Sequence, residues 1–131
     1  MIKKKLLLVE DDPFLSSLLK TRLLNEGFDV SYAADGEEAL TMAKKVVPDL
    51  ILLDLILPKK SGFEVMEVLQ SDPQLSLIPI MIVSQLGQDQ DMKKGKDLGA
   101  VAYMVKAKIS LEKLVEEAKT FLDQKESALA K

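Results

Sequence analysis

The strongest limit on what this chain can fold into is a cycle of short apolar runs and longer amphipathic stretches, repeated five times. The runs are Lys5–Val9, Asp29–Ala33, Leu50–Leu53, 80–83 and 101–105. Runs of this length read as buried or half-buried strands. Between them the spacing predicts helices with recognisable ends. Asp12 can cap the first and Pro13 suits its opening position, while Leu15, Leu18, Leu19 and Leu23 form its stripe and Gly27 ends it. The second follows Asp35-Gly36, carries Ala39, Leu40, Ala43, Val46 and Val47, and stops at Pro48. The third opens on Ser61-Gly62-Phe63-Glu64, a capping-box spacing, and closes at Ser71-Asp72-Pro73. Ser110 caps the last and longest, whose stripe is Leu111, Leu114, Val115, Ala118, Phe121 and Leu122. The fourth, about 88–97, has few apolar anchors and Gly95 inside it, which makes it the least firmly docked element and a candidate for local rearrangement.

Alternating strands and helices with short connections call for an α/β fold, a parallel sheet covered on both faces. No repeat, low-complexity tract or internal linker interrupts the 131 residues, so a single domain is expected over 1–122. Residues 123–131 turn polar and are expected to be the end of the last helix or a tail.

Composition narrows the chemistry. The chain has no cysteine and no histidine. Disulfides, thiolate zinc sites, cysteine nucleophiles, serine–histidine pairs and imidazole ligands are all excluded. The 18 basic against 21 acidic side chains give a net charge of -3, with Arg22 the only arginine, so no footprint for nucleic acid is expected. The apolar start, Leu6-Leu7-Leu8-Val9, meets Glu10, Asp11 and Asp12 too soon for a signal peptide, and no run nears the ~18 apolar residues of a membrane span. A cytoplasmic protein without membrane insertion is the expectation.

In doubly wound sheets, sites form at the carboxyl ends of the strands. Here the first run ends in Glu10-Asp11-Asp12, the third runs into Asp54, the fourth ends at Ser84 and the fifth at Lys106. Singly, these residues suit caps, turns and solvated surface. Asp54 is the hardest to dismiss, because an acid between apolar Leu50–Leu53 and residues 55–57 either faces a cleft or is buried at a cost. Gathered on one rim, the carboxylates would repel unless a hard divalent cation such as magnesium lay between them. A carboxylate is a competent nucleophile toward phosphorus, and lysine and serine can hold phosphoryl oxygens. Such a set is complete for phosphoryl transfer onto Asp54 without any histidine.

Over nearly its whole length the sequence resembles the receiver domain of two-component response regulators, of the stand-alone type. The matching pieces are Leu7-Leu8-Val9-Glu10-Asp11-Asp12, Asp49 through Pro58 with Gly62, Ile80-Met81-Ile82-Val83-Ser84, and Leu98 through Lys106. The resemblance implies a flavodoxin-like fold with five helices and strand order 2-1-3-4-5. It implies Asp54 as phosphoacceptor, with magnesium held by Asp11, Asp54 and the backbone carbonyl of Ile56, and by Glu10 through water. Ser84 and Lys106 would contact the phosphoryl group, and Tyr103 would turn inward when Ser84 moves. The donor would be a sensor histidine kinase or a histidine phosphotransfer protein. A protein target would read the fourth helix and fifth strand, and the fourth and fifth helices are also a candidate homodimer surface. Such a protein catalyses only its own phosphorylation and dephosphorylation.

Three positions depart from the family pattern. Ala107 replaces the proline that usually follows the lysine, and a cis bond before alanine would cost about 2.5–4 kcal/mol. Gln85 stands where a small residue is usual and is expected to narrow access to the site, while Ser84 replaces the commoner threonine. Ile56 and Leu86, both apolar, occupy the variable positions beside the phosphoryl group, which predicts a long-lived phosphoaspartate. Two alternatives remain. One is a pseudo-receiver that binds a partner without phosphorylation. The other is a magnesium-dependent aspartyl phosphatase, which would need an acid two residues beyond Asp54, where Ile56 stands.

Overall fold

The computed structural model describes residues 3–130, with side chains through 124. Five strands, β1 (Lys5–Val9), β2 (Asp29–Ala33), β3 (Leu50–Leu53), β4 (Ile80–Ser84) and β5 (Ala102–Val105), form one parallel sheet in the order β2-β1-β3-β4-β5. Five helices cover it: α1 (Pro13–Asn25), α2 (Gly36–Val46), α3 (Gly62–Gln70), α4 (Asp89–Asp97) and α5 (Leu111–Ala130). Short 3-10 turns occupy Leu75–Leu77 and Lys106–Lys108. The fold class and strand order are those anticipated. No helix among the described residues is long and apolar enough to cross a membrane.

Side chains alternate across a strand, so each central strand serves two cores. Leu6, Leu8, Leu50, Leu52, Met81 and Val83 pack under α1 and α5 with Leu19, Leu23, Leu114 and Leu122. Leu7, Val9, Ile51, Leu53, Ile80 and Ile82 face the other way, against Ala39, Ala43, Val65, Met66 and Leu69 of α2 and α3. Each leucine, isoleucine, valine or methionine among them contributes about 1.5–3 kcal/mol when fully buried. A strand buried on both faces has no polar position to spare, and the acids that follow β1 and β3, Glu10 and Asp54, fall at the rim.

Boundaries differ from the sequence reading in small ways with clear causes. Ser84 completes β4 by pairing with Val105, and Val101 lies just outside β5 although its N–H donates to Ile80 O. Leu18 does not belong to the buried stripe of α1. It is 40% exposed, and Ser16, its hydroxyl donating to Pro13 O, is buried with Leu19 and Leu23 instead. Val47 also leaves its stripe: it takes a left-handed conformation (φ 48) as the C-cap of α2, where Pro48 disfavours helical backbone in the residue before it. Helix α5 runs on through residue 130, while Met1, Ile2 and Lys131 lie outside the described residues.

Side-chain caps fix α1 and α3 where the sequence placed them. Asp12 accepts from Phe14 N and Leu15 N at 2.9 and 3.2 Å. Ser61 and Glu64 form a reciprocal capping box. Gly62 is required rather than convenient. A Cβ there would lie 2.4 Å from Asp54 O, so only glycine lets α3 start directly against the backbone that carries Asp54.

Candidate functional site

Residues ending adjacent parallel strands are brought together by register. Val9 pairs with Leu53, so Glu10 and Asp54 emerge side by side, and Asp54 N donates to Val9 O at 3.1 Å. Ser84 pairs with Val105, which sets Lys106 on the same rim. The 3-10 turn at Lys106–Lys108 starts immediately, and no peptide bond among the described residues is cis, the one before Ala107 included.

Glu10, Asp11, Asp12, Asp54, Ile56, Gln85 and Lys106 line a cleft of about 270 Å³ at this rim. Lys106 Nζ lies 2.7 Å from Glu10 Oε1 and 3.0 Å from Asp54 Oδ2. The other oxygen of Glu10 accepts from Asp12 N at 3.1 Å, and Asp54 Oδ1 accepts from Ile56 N at 3.3 Å. Glu10 and Asp54 are buried, whereas Asp11 is exposed. One carboxylate oxygen from each of these three lies within 4.8 Å of the others.

Charge in the cleft is unbalanced: four carboxylates face one ammonium among its lining residues. Burial, reinforced by the Asp54 charge, raises the Glu10 carboxyl above its usual range despite Lys106 and the Asp12 N–H. Burial alone would lower Lys106, but its pairs with Glu10 and Asp54 outweigh it and hold the ammonium above its usual range. Clustered oxygen donors with surplus negative charge suit a hard divalent cation. The residues present therefore fit magnesium.

Ser84 does not line the cleft. It is fully buried, and its hydroxyl accepts from Leu86 N at 3.2 Å. Leu86 packs onto the α2–α3 core instead of flanking the cleft, where Ile56 (51% exposed) and Gln85 form the wall. Tyr103 is turned inward, donating to Leu86 O at 2.5 Å. Burial, with Asp91 nearby, raises its hydroxyl above the usual range. Ser84, Leu86 and Tyr103 thus form one hydrogen-bonded chain between the rim and α4.

Among the described residues Gly95 is the only buried position of α4, and a Cβ there would meet Ile82 Cδ1 at 2.7 Å and the Tyr103 ring at 3.1 Å. Two outer contacts help hold this helix: Lys94 lies 4.7 Å over the Phe63 ring, and Gln70 Nε2 donates to Leu98 O. One polar side chain at the site escaped the sequence reading. Tyr32 of β2 donates its hydroxyl to Glu10 O at 2.7 Å. An aromatic in a strand reads as packing, and a backbone acceptor leaves no signature in a sequence.

The family model described as the response regulator receiver domain matches residues 6–119. The chain belongs to this family. It is thus a receiver domain of two-component signalling, a family of signalling proteins in which an acidic pocket typically takes magnesium. It is 41% identical over 102 residues to the DNA-binding dual master transcriptional regulator RpaA of Synechocystis, covering 78% of this chain and 42% of that protein. Identity to the alkaline phosphatase synthesis transcriptional regulatory protein PhoP of Bacillus subtilis is also 41%, over 80% of this chain and 43% of that protein. This receiver domain thus spans less than half the length of these relatives. Among solved structures, a CheY-like receiver domain protein from Methanospirillum hungatei superposes with a TM-score of 0.87 at 27% identity, covering 97% of this chain and 99% of that one. The phosphorylated cyanobacterial phytochrome response regulator RcpA gives 0.79 at 34% identity, over 92% and 91%.

Proposed function

We propose that residues 1–122 form a phosphoaspartate switch whose phosphoacceptor is Asp54. The convergence of Asp54 with Glu10, Asp11 and Lys106 in one cleft carries this reading. The donor is a phosphohistidine on a sensor histidine kinase or a phosphotransfer protein, a reading supported by membership of the receiver family. An Asp54 carboxylate oxygen attacks phosphorus as the phosphorus–nitrogen bond breaks. The bonding pair leaves with the imidazole nitrogen, which then takes a proton from solvent. Asp11, Asp54 and the carbonyl of Ile56 would hold magnesium, with Glu10 acting through water, and the ion would supply positive charge to offset the negative charge of the site.

Lys106 is placed to exchange its Asp54 contact for a phosphoryl oxygen. Ser84 has a hydroxyl proton to donate, because its bond to Leu86 N uses only a lone pair. Drawing Ser84 toward a phosphoryl group pulls on Leu86, whose carbonyl holds Tyr103. The signal then passes to α4 and β5, the surface that a protein target reads. Gln85, standing at the cleft wall, restricts the approach of donors. The chain acts in the cytoplasm and contacts neither nucleic acid nor membrane through this domain.

Incubation with magnesium and acetyl phosphate, followed by intact-mass measurement, tests the reading. A gain of one phosphoryl group, abolished in Asp54→Asn, is expected. Absence of any gain, with beryllofluoride also leaving the Tyr103 fluorescence unchanged, would leave a phosphorylation-independent pseudo-receiver. Steady turnover of p-nitrophenyl phosphate would favour the aspartyl phosphatase.

A further inference from the structure

Glu10 and Asp11 are consecutive, and consecutive side chains in an extended strand point to opposite sides. Yet a carboxylate oxygen of each lies within 4.8 Å of the other and of Asp54. They can converge only because the backbone leaves strand geometry at this point, with a bend at Asp11. Three bonds flank the turn. Glu10 N donates to Ala33 O at 3.1 Å, the last rung between β1 and β2. Asp12 N donates to Glu10 Oε2 at 3.1 Å, and Tyr32 Oη donates to Glu10 O at 2.7 Å. Of the three, only the last holds the peptide that joins Glu10 to Asp11.

We infer that Tyr32 is a positioning residue for the divalent cation site, its hydroxyl fixing the Glu10–Asp11 peptide so that both carboxylates face Asp54. The inference rests on the reading of this cleft as a magnesium site. Tyr32 suits the task because β2 is an edge strand and lies beside the rim of β1. Its residue pairs with Leu8, two positions before Glu10, and its ring is partly buried against the α1–α5 core. Phenylalanine would supply the packing equally well. Only the hydroxyl reaches the loop, and a group that orients ligands from outside the coordination shell is felt in metal affinity.

The experiment compares the full chain with Tyr32→Phe in three measurements: calorimetric titration with magnesium chloride, thermal unfolding in EDTA, and phosphorylation by acetyl phosphate across magnesium concentrations. We expect the magnesium dissociation constant to rise about tenfold. Phosphorylation should fall at limiting magnesium and recover at saturating magnesium, with an EDTA unfolding midpoint close to that of the parent. Unchanged magnesium affinity alongside a lowered midpoint would make Tyr32 a packing residue and overturn the inference alone. If the unsubstituted chain binds no magnesium, the cation reading falls, and this inference falls with it.

Discussion

At the scale of single residues the site sets charge against stability. Glu10 is buried, and its carboxyl is held above the usual range by that burial and by Asp54. A carboxyl raised on folding binds its proton more readily in the native state than in the unfolded chain. Its contribution to stability is present below the ordinary glutamate range and is lost as pH rises through the folded value. Glu10→Gln is therefore expected to unfold at a higher temperature than the parent in EDTA at pH 7. The gain should close as pH falls into the ordinary carboxylate range, a trend that calorimetry across pH would check. Magnesium should erase or reverse the gain, because the Glu10 charge is then compensated. A higher parent midpoint in EDTA at pH 7 would refute the sign. Asp54 stood out in the sequence, since an acid set between two apolar runs has few bland explanations, whereas Glu10 and Asp11 stood out only by sharing its rim. Tyr32 did not, because the polar atom it serves is a main-chain carbonyl, and every residue carries one.

Among elements, α4 carries the contrast between a helix held by packing and one held by contacts at its margins. Helices α1, α2, α3 and α5 bury leucine, valine, methionine or alanine, whereas the single buried residue described in α4 is Gly95. The sequence announced this weakness through missing apolar anchors, but the reason for the glycine is visible only in three dimensions. Its bare Cα leaves room for the inward Tyr103 ring above Ile82. In Gly95→Ala the new methyl competes with that ring, although alanine favours helix by about 1 kcal/mol over glycine. The expected outcome is a helix with slower local exchange and a Tyr103 displaced from Leu86 O. Hydrogen exchange of the α4 amides would report the first, and tyrosine emission the second, since Tyr32 and Tyr103 are the only tyrosines and tryptophan is absent. Unaltered Tyr103 emission would show that Ile82 absorbs the methyl instead. The misplacement of Leu18 has the same origin as the hidden role of Gly95. Periodicity identifies an apolar face but not which of two neighbouring leucine rows meets the sheet, and in α1 the closer approach goes to small Ser16.

On the scale of the whole molecule, the doubly wound sheet gathers the cleft at one rim and surrounds it with the first turns of helices. Beside the acids, Phe14 stands 74% exposed in the first turn of α1, with Leu18 at 40%. Leu15 of the same helix, with Ile109, Leu111 and Leu114, lines a small hollow of about 90 Å³ that Lys106 also borders. An exposed aromatic one turn from the acids has the character of an interface anchor. A small acyl phosphate reaches Asp54 without covering this ground, whereas a phosphohistidine protein that docks on α1 would cover it. The two donors therefore separate docking from chemistry. Phe14→Ala is expected to slow transfer from a phosphorylated histidine kinase that serves the parent chain by about tenfold or more, the cost of losing one central anchor. The acetyl phosphate rate and the magnesium affinity should stay at parent values, because Phe14 is not among the residues that line the cleft. Equal slowing with both donors would place the effect in the chemistry, through the neighbouring Asp12 cap, and would remove this face from the docking surface.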